Sequence, residues 1–544
     1  MQGGGKVQAT LLNAGGTLLV SGRQAVQLGA ASSRQALSVN AGGALKADKL
    51  SATRRVDVDG KQAVALGSAS SNALSVRAGG ALKAGKLSAT GRLDVDGKQA
   101  VTLGSVASDG ALSVSAGGNL RAKQLVSSAQ LEVRGQREVA LDDASSARGM
   151  TVVAAGALAA RNLQSKGAIG VQGGEAVSVA NANSDAELRV RGRGQVDLHD
   201  LSAARGADIS GEGRVNIGRA RSDSDVKVSA HGALSIDSMT ALGAIGVQAG
   251  GSVSAKDMRS RGAVTVSGGG AVNLGDVQSD GQVRATSAGA MTVRDVAAAA
   301  DLALQAGDAL QAGFLKSAGA MTVNGRDAVR LDGAHAGGQL RVSSDGQAAL
   351  GSLAAKGELT VSAARAATVA ELKSLDNISV TGGERVSVQS VNSASRVAIS
   401  AHGALDVGKV SAKSGIGLEG WARSERTPSV PTARSACPGA MRSGSITPAV
   451  LPTFRWGGRR RHAGRGGGRR FDRRARRIHG GGELAARQSR RSGQRQGCGA
   501  RNGRHQRGRS ACVERPPARS GRRAGARRAG PGRRRRRGAA IGQG

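Results

Sequence analysis

A repeat of 19 residues runs through most of this chain and constrains its fold more than any other feature. The first apolar residue of successive units falls at Leu74, Leu93, Leu112 and Leu131, and the series continues in unbroken steps of 19 to Ile416. Before Leu74 the series contains one step of 18. Self-similarity at a fixed period of this length is typical of solenoids, in which each unit packs only against its neighbours.

Within each unit the apolar residues lie at offsets 0, 2, 8, 10 and 13, as in Leu188, Val190, Val196, Leu198 and Leu201. Pairs two residues apart have the period of a strand, and the stripe expected of a helix does not occur. Gly-rich and Asp-rich turn sequences separate the pairs. The pattern therefore predicts an all-β, parallel β-solenoid over residues 1–420, with about 22 coils stacked roughly 4.8 Å apart.

The composition agrees with a narrow coil. Aromatic residues make up 1% of the chain, Tyr is absent, and 85 residues are Gly. A globular core obtains much of its buried area from aromatic rings. Here the core must consist of stacked Val, Leu, Ile and Ala, each of which contributes about 1.5–3 kcal/mol when buried.

The repeat wording, LSVxAGGALKAxKLSATGRLDVDGKQAVTLGS, resembles the shaft repeats of the filamentous haemagglutinin family of Gram-negative adhesins, and the resemblance covers residues 7–420. It implies a right-handed parallel β-helix, export by two-partner secretion through an outer-membrane transporter, and a secreted or surface-displayed parent protein. It also implies attachment to host-cell glycans or receptors. The repeat thus predicts a structural, non-enzymatic shaft, with no catalytic, cofactor-binding or metal-binding residues.

The chain also departs from that family. It opens in mid-coil, because Val7, Ala9 and Leu12 match only the last three core positions, and the opening residues lack the charged and apolar regions of a signal peptide. The family's secretion domain and an RGD tripeptide are both absent. These features predict an internal fragment without its own export signal, whose open strand edges promote end-to-end self-association.

Residues 421–544 have a different composition. They contain 34 Arg, no Lys and four acidic residues, and therefore carry +30 of the net charge of +39. Three interpretations are open: an Arg/Gly-rich segment that binds nucleic acid, a disordered solvated tail, or out-of-frame coding sequence. Back-translation of Ala433 to Thr447 with GC-rich codons, shifted by one base, reads GAISVSGRDAVRV, which is another coil. We favour a frameshifted, disordered tail and expect no nucleic-acid partner.

Two sets of charged residues are candidate sites. The first is an acidic column of Asp257, Asp276 and Asp295, at one offset in three successive coils. Such a column would suit a polysaccharide-processing β-helix enzyme, but we interpret it as a solvated turn position without recurring basic partners. His231 and His402 are predicted to lie in exposed turns, many coils apart.

The second set is a cluster of arginines that could hold a sulfated glycan through bidentate contacts. Seven acidic residues lie among them, which favours a surface of mixed charge. The predicted glycan-contact patch consists of Arg189, Arg191, Arg193, Arg205, Arg214, Arg219 and Arg221.

Overall fold

The computed structural model describes residues 1–420, which form strands and turns without a helix. This confirms the predicted all-β parallel solenoid. The predictions made for residues 421–544, of a disordered and frameshifted tail, lie outside the described residues. Within the described range there is no helix long and apolar enough to cross a membrane.

The strands form two parallel sheets, which we call sheet A and sheet B. Sheet A consists of β1 (Gln2–Gly3), β3 (Leu18–Gly22), β5 (Ala36–Ala41), β7 (Arg55–Gly60), β9 (Ala73–Ala78), β11 (Leu93–Gly97), β13 (Leu112–Ala116), β15 (Gln130–Gly135), β17 (Gly149–Ala154), β19 (Ala168–Gly173), β21 (Glu187–Gly192), β23 (Gly206–Gly211), β25 (Val226–Ala230), β27 (Ile245–Ala249), β29 (Val264–Gly268), β31 (Val283–Ser287), β33 (Leu302–Ala306), β35 (Met321–Gly325), β37 (Leu340–Ser344), β39 (Leu359–Ala363), β41 (Ile378–Gly382), β43 (Arg396–Ala401) and β45 (Gly415–Gly420).

Sheet B consists of β2 (Val7–Ala14), β4 (Val26–Ser33), β6 (Leu45–Ala52), β8 (Val64–Ser71), β10 (Leu82–Ala89), β12 (Val101–Ser108), β14 (Leu120–Ser127), β16 (Val139–Ser146), β18 (Leu158–Ser165), β20 (Val177–Ser184), β22 (Val196–Ala203), β24 (Val215–Ser222), β26 (Leu234–Ala241), β28 (Val253–Ser260), β30 (Val272–Ser279), β32 (Met291–Ala298), β34 (Leu310–Ser317), β36 (Ala328–Ala336), β38 (Gln347–Ala355), β40 (Ala366–Ser374), β42 (Arg385–Ser393) and β44 (Ala404–Ala412).

Each strand pairs with its counterpart one coil before and one coil after. In sheet A, Leu188 lies opposite Ile169 in the preceding coil and Ala207 in the following coil. In sheet B, Val196 lies between Val177 and Val215 in the same way. A first turn joins each sheet A strand to the next sheet B strand, and a second turn leads to the next coil. The backbone groups of the turns also pair between coils, as in the 2.8 Å hydrogen bond from Gly79 N to Gly60 O.

The core lies between the two sheets and follows the predicted offsets. Leu188, Val190, Val196, Leu198 and Leu201 are all buried, and the same positions are buried through nearly all coils. Side chains at these offsets stack on their counterparts, which explains how a chain with almost no aromatic residues fills its interior.

The 18-residue step is absorbed without disturbing this core. Val56 pairs with Leu74 in sheet A, and Leu66 pairs with Ala84 in sheet B. Between Ser71 at the end of β8 and Ala73 at the start of β9 lies only one residue. The second turn of this coil is therefore one residue shorter, and the strand pairing stays in register in both sheets.

Residues at two further offsets, which the apolar pattern did not reveal, also face the core. One is offset 4, occupied by small residues such as Ala78 and Gly97. The other is offset 15 at the end of each sheet B strand, where Ser recurs and is buried. Ser184 shows why a polar residue is tolerated there. Its hydroxyl donates toward Gly167 O at 2.9 Å and Glu187 O at 3.0 Å, and accepts from Ala186 N at 3.2 Å. The hydroxyl thus joins the second turns of two coils.

Removing this hydroxyl is expected to cost little more than one hydrogen bond. We predict that Ser184→Ala lowers the free energy of unfolding by about 1 kcal/mol, because its partners are turn groups that water can reach in part. Urea denaturation followed by circular dichroism measures the change. Ser178→Ala, at an exposed position of the same strand, is the matched control and should leave stability unchanged; an equal loss in both variants would contradict the assigned role.

The last described coil is less well covered than the others. Ile416 and Leu418 in β45 are 51% and 48% exposed, and Leu405, Val407 and Val410 are only partly buried. The predicted end-to-end association would cover such side chains, and it stays a prediction.

Candidate binding surfaces

The seven arginines of the predicted patch lie on different sides of the coil. Arg189 and Arg191 project from sheet A, in β21, whereas Arg219 and Arg221 project from sheet B, in β24. The remaining three occupy turns: Arg193 and Arg214 lie in first turns and Arg205 in a second turn. The expectation of a single patch is therefore wrong, because residues close together in sequence pass around the whole perimeter of a coil.

Three of these arginines are paired with carboxylates of the same surface. Arg189 Nη2 lies 2.9 Å from Glu187 Oε2, Arg191 Nη2 lies 3.9 Å from Asp208 Oδ2, and Arg219 Nε lies 3.5 Å from Asp200 Oδ1. All these side chains are at least 46% exposed, so each pair contributes well under about 1 kcal/mol. The pairing agrees with a surface of mixed charge.

Arg191 and Arg193 do come together, along a shallow groove of about 530 Å³ beside the first turns. Glu212 and His231 line the same groove. The groove thus brings together two of the seven predicted glycan contacts, and an acidic residue offsets part of their charge. His231 lies in an exposed turn here and His402 in an equivalent turn far along the chain, as expected.

Asp257, Asp276 and Asp295 do form a column, because they occupy paired positions in three successive strands. Their position differs from the expectation: they lie at offset 12 within the sheet B strands β28, β30 and β32, not in a turn. The ladder omits offset 11, where each sheet B strand bends, so the residues at offsets 11 and 12 both face outward.

This column also has basic partners, which the sequence did not suggest. Arg294 at offset 11 donates Nε to Asp276 Oδ1 at 2.9 Å, and its Nη2 donates to Oδ2 of the same carboxylate. The hydrogen bonds from Arg294 to Asp276 raise the pKa of the Arg294 guanidinium. Arg259 Nε lies 3.4 Å from Asp257 Oδ1. Within residues 1–420 no three His, Cys, Asp or Glu side chains converge to hold a metal ion.

Farther along sheet B, offset 12 carries another compensated charge. Glu371 accepts a hydrogen bond from Ser352 Oγ at 2.9 Å and pairs with Lys373 Nζ at 2.6 Å. The hydrogen bond from Lys373, with that from Ser352, lowers the pKa of Glu371. The charges of Asp276 and Glu371 beside the bend are thus each neutralised by a neighbouring cation.

The first coils differ, and they carry a surface that the sequence analysis missed. At offset 9 the column from β6 to β14 reads Lys46, Ala65, Lys83, Thr102, Arg121. At offset 12 the parallel column reads Lys49, Ser68, Lys86, Ser105, Gln124. A cation therefore recurs in every second coil of both columns over their first three coils, with small or uncharged residues between. Arg121 extends the first column.

A groove of about 540 Å³ runs along the bend beside the first of these columns. Its floor is the backbone of Gly67, Gly85 and Gly104. A Cβ on Gly85 would lie 2.5 Å from Gly67 O, so a larger residue cannot fill this floor unless the backbone moves. Lys46, Lys83 and Lys123 line the groove, and Lys49, Lys86 and Arg121 lie beside it in the same strands. We call the groove and these six residues the lysine groove.

None of the six cations of the lysine groove takes part in an ion pair of the described residues. One acid, Asp48, lines the groove with Lys46, Lys83 and Lys123. The lysines recur in every second coil, and the two columns become visible only when residues are aligned by their offset within the coil. A search for runs of charge along the chain misses them.

Comparison with known proteins supports the repeat architecture. A family model described as "Repeats of unknown function (DUF5649)" matches residues 280–336, which include Asp295 of the acidic column and the neighbouring Arg294. No curated protein matches the chain. No solved structure matches it either.

Proposed function

We propose that this chain is part of the structural shaft of a secreted or surface-displayed bacterial adhesin that attaches to host-cell glycans or receptors. One observation carries the proposal: the coils of residues 1–420 stack in one register, and no inserted domain or long loop interrupts them. Such a stack gives a rod on the order of 100 Å long. Length and stiffness are what a shaft requires.

Three further features favour this proposal. The repeat resembles the shaft of filamentous haemagglutinins, and the matched family model also describes repeats. The acidic column, which would suit an enzyme, is paired with arginines on an open sheet face. We therefore propose a non-enzymatic role, with two-partner secretion of the parent protein through its outer-membrane transporter. No nucleic-acid partner is proposed.

Adhesion by the full chain tests this function. Beads coated with the protein are expected to bind epithelial cells several-fold better than beads coated with albumin, and electron microscopy of the same sample should show rods about 100 Å long. Enzymatic removal of cell-surface glycans should reduce the binding. Rods of the expected length that bind no better than albumin would contradict an adhesin role.

A further inference from the structure

We infer that a small pocket around Gly206 binds a compact zwitterion, a molecule with a primary ammonium group and a carboxylate, as in a free amino acid. The pocket has a volume of about 220 Å³ and lies beside the first residues of strands β21, β23 and β25. We call it the Gly206 pocket. The inference goes beyond the proposed shaft function and does not depend on it.

The backbone at this pocket is unlike that of the other described coils. Gly206 has a φ of 141°, a left-handed value that favours glycine, and no other glycine of residues 1–420 has a positive φ. The next residue, Ala207, is also an exception, because the other coils from Leu18 to Ile416 carry Leu, Ile, Val or Met at offset 0. Both of these small residues line the pocket.

Carboxylates lie on both sides of Gly206 along the axis. Glu187 pairs with Gly206 from the preceding coil. Asp225 belongs to the following level, since its carbonyl oxygen accepts a 3.0 Å hydrogen bond from Ala207 N. These two levels are about 10 Å apart. Asp208, which faces outward in β23, lines the pocket as a third carboxylate.

Three cations line the same pocket, and two of them are available to a ligand. Arg189 lies 2.9 Å from Glu187 and is therefore already paired. Arg205 and Lys227 take part in no ion pair within residues 1–420. An anionic group in the pocket can thus be held by these two side chains.

Asp225 is available to a cationic group in a similar way. Its Oδ1 accepts a hydrogen bond from Ala244 N at 2.8 Å. This bond holds the carboxylate beside the pocket and leaves Oδ2 free for a ligand. A primary ammonium group carries three N–H donors, so it can bind Asp225 and Asp208 together.

The balance of charge determines which ligands fit. A purely anionic ligand would be repelled by the three carboxylates, and a purely cationic ligand by the three cations, whereas a zwitterion is attracted by both sets. The volume equals that of about seven water molecules and lies below the range of about 300–1,000 Å³ that is usual for drug-sized ligands. The ligand is therefore small.

Two other classes of small ligand fit less well. Quaternary ammonium groups such as choline are held by aromatic rings, and residues 187–227 contain no Phe, Trp or Tyr. A metal ion requires several converging ligands, and in the described part of the chain no three His, Cys, Asp or Glu side chains are placed to supply them.

Saturation-transfer NMR on the full chain tests the inference, with L-alanine as the probe. We expect a dissociation constant on the order of 1 mM, because the contacts are exposed charges. L-lactate has a hydroxyl in place of the ammonium group, and L-alaninamide has an amide in place of the carboxylate. Each should bind about ten-fold more weakly than L-alanine. Equal binding of lactate and alanine would overturn the inference, since any carboxylate would then suffice.

A first pair of variants tests the side of the pocket that holds the ammonium group. Asp225→Asn should weaken alanine binding about ten-fold and leave lactate binding unchanged. Asp301→Asn is the matched control. Asp301 also precedes a sheet A strand, and its Oδ1 also accepts a 2.8 Å hydrogen bond, from Ala320 N, but it is not part of the pocket. Unchanged alanine binding by Asp225→Asn, or equal weakening in both variants, would overturn the inference.

A second pair tests the side that holds the carboxylate. Lys227→Gln should weaken alanine binding about ten-fold and leave the weaker binding of alaninamide unchanged. Arg284→Gln removes a cation at the same offset three coils farther on, outside the pocket, and should have no effect. A loss of alanine binding that is the same in both variants would show that general surface charge, rather than the Gly206 pocket, binds the probe.

Discussion

Val228→Asp is expected to break the solenoid near its middle. Val228 is 2% exposed and stacks between Ile209 and Val247. A carboxylate at this position would lie among aliphatic side chains without a partner, which costs about 4 kcal/mol or more. Because each coil contacts only its neighbours, the damage should stay local and leave two shorter folded stacks.

Limited proteolysis measures this break. New cleavage should appear in the coils on either side of Val228, and thermal unfolding should separate into two transitions. Ser229→Asp is the matched control, since Ser229 is the next residue of β25 and faces solvent. Its stability should stay within about 0.5 kcal/mol of the parent. Cooperative unfolding of the Val228→Asp variant at an unchanged temperature would refute the assignment of Val228 to a packed core.

Gly167→Ala is expected to cause the second largest loss of folding stability, after Val228→Asp. A Cβ on Gly167 would overlap the carbonyl oxygen of Arg148. In addition, Gly167 N donates a hydrogen bond to Ser165 Oγ, and Gly167 O accepts one from Ser184 Oγ. The turn cannot move without breaking these hydrogen bonds. We expect a loss of about 2–4 kcal/mol.

Gly149→Ala provides the comparison, because its added Cβ would meet nothing closer than 3.6 Å. It should be neutral or raise stability by a few tenths of a kcal/mol, through the lower entropy of the unfolded chain. Urea denaturation of both variants measures the difference. Equal effects would show that the stacked turns are not closely packed.

The interior of the solenoid could be predicted from the sequence because large apolar residues recur at fixed offsets. Leu188 and Val190 stood out as inward-facing for this reason, and both are buried. Ser184 did not stand out, since a polar residue is usually exposed and its partners, Gly167 O and Glu187 O, are backbone atoms. Gly97, at offset 4, carries no side chain from which its direction could be inferred.

The outer surface could not be predicted in the same way. Arg189 and Arg219 lie 30 residues apart in sequence and project from different sheets, so local clustering was misleading. Arg294 reaches Asp276 from the following coil, across 18 residues. Surface pairs of this kind depend on which residues at offsets 11 and 12 meet across the bend. The offset of a residue in the coil, rather than its distance along the chain, decides its neighbours.

The parallel ladders also determine how the rod responds to force. Hydrogen bonds between coils point along the axis, so a load spread over the cross-section strains all bonds of an interface together. A pull on one chain end instead peels strands away singly. Each coil would then release about 65 Å of extended chain while shortening the rod by only about 4.8 Å. Because the coils have nearly the same structure, they would unfold at similar forces. The extension of the molecule would therefore increase in steps of nearly equal length.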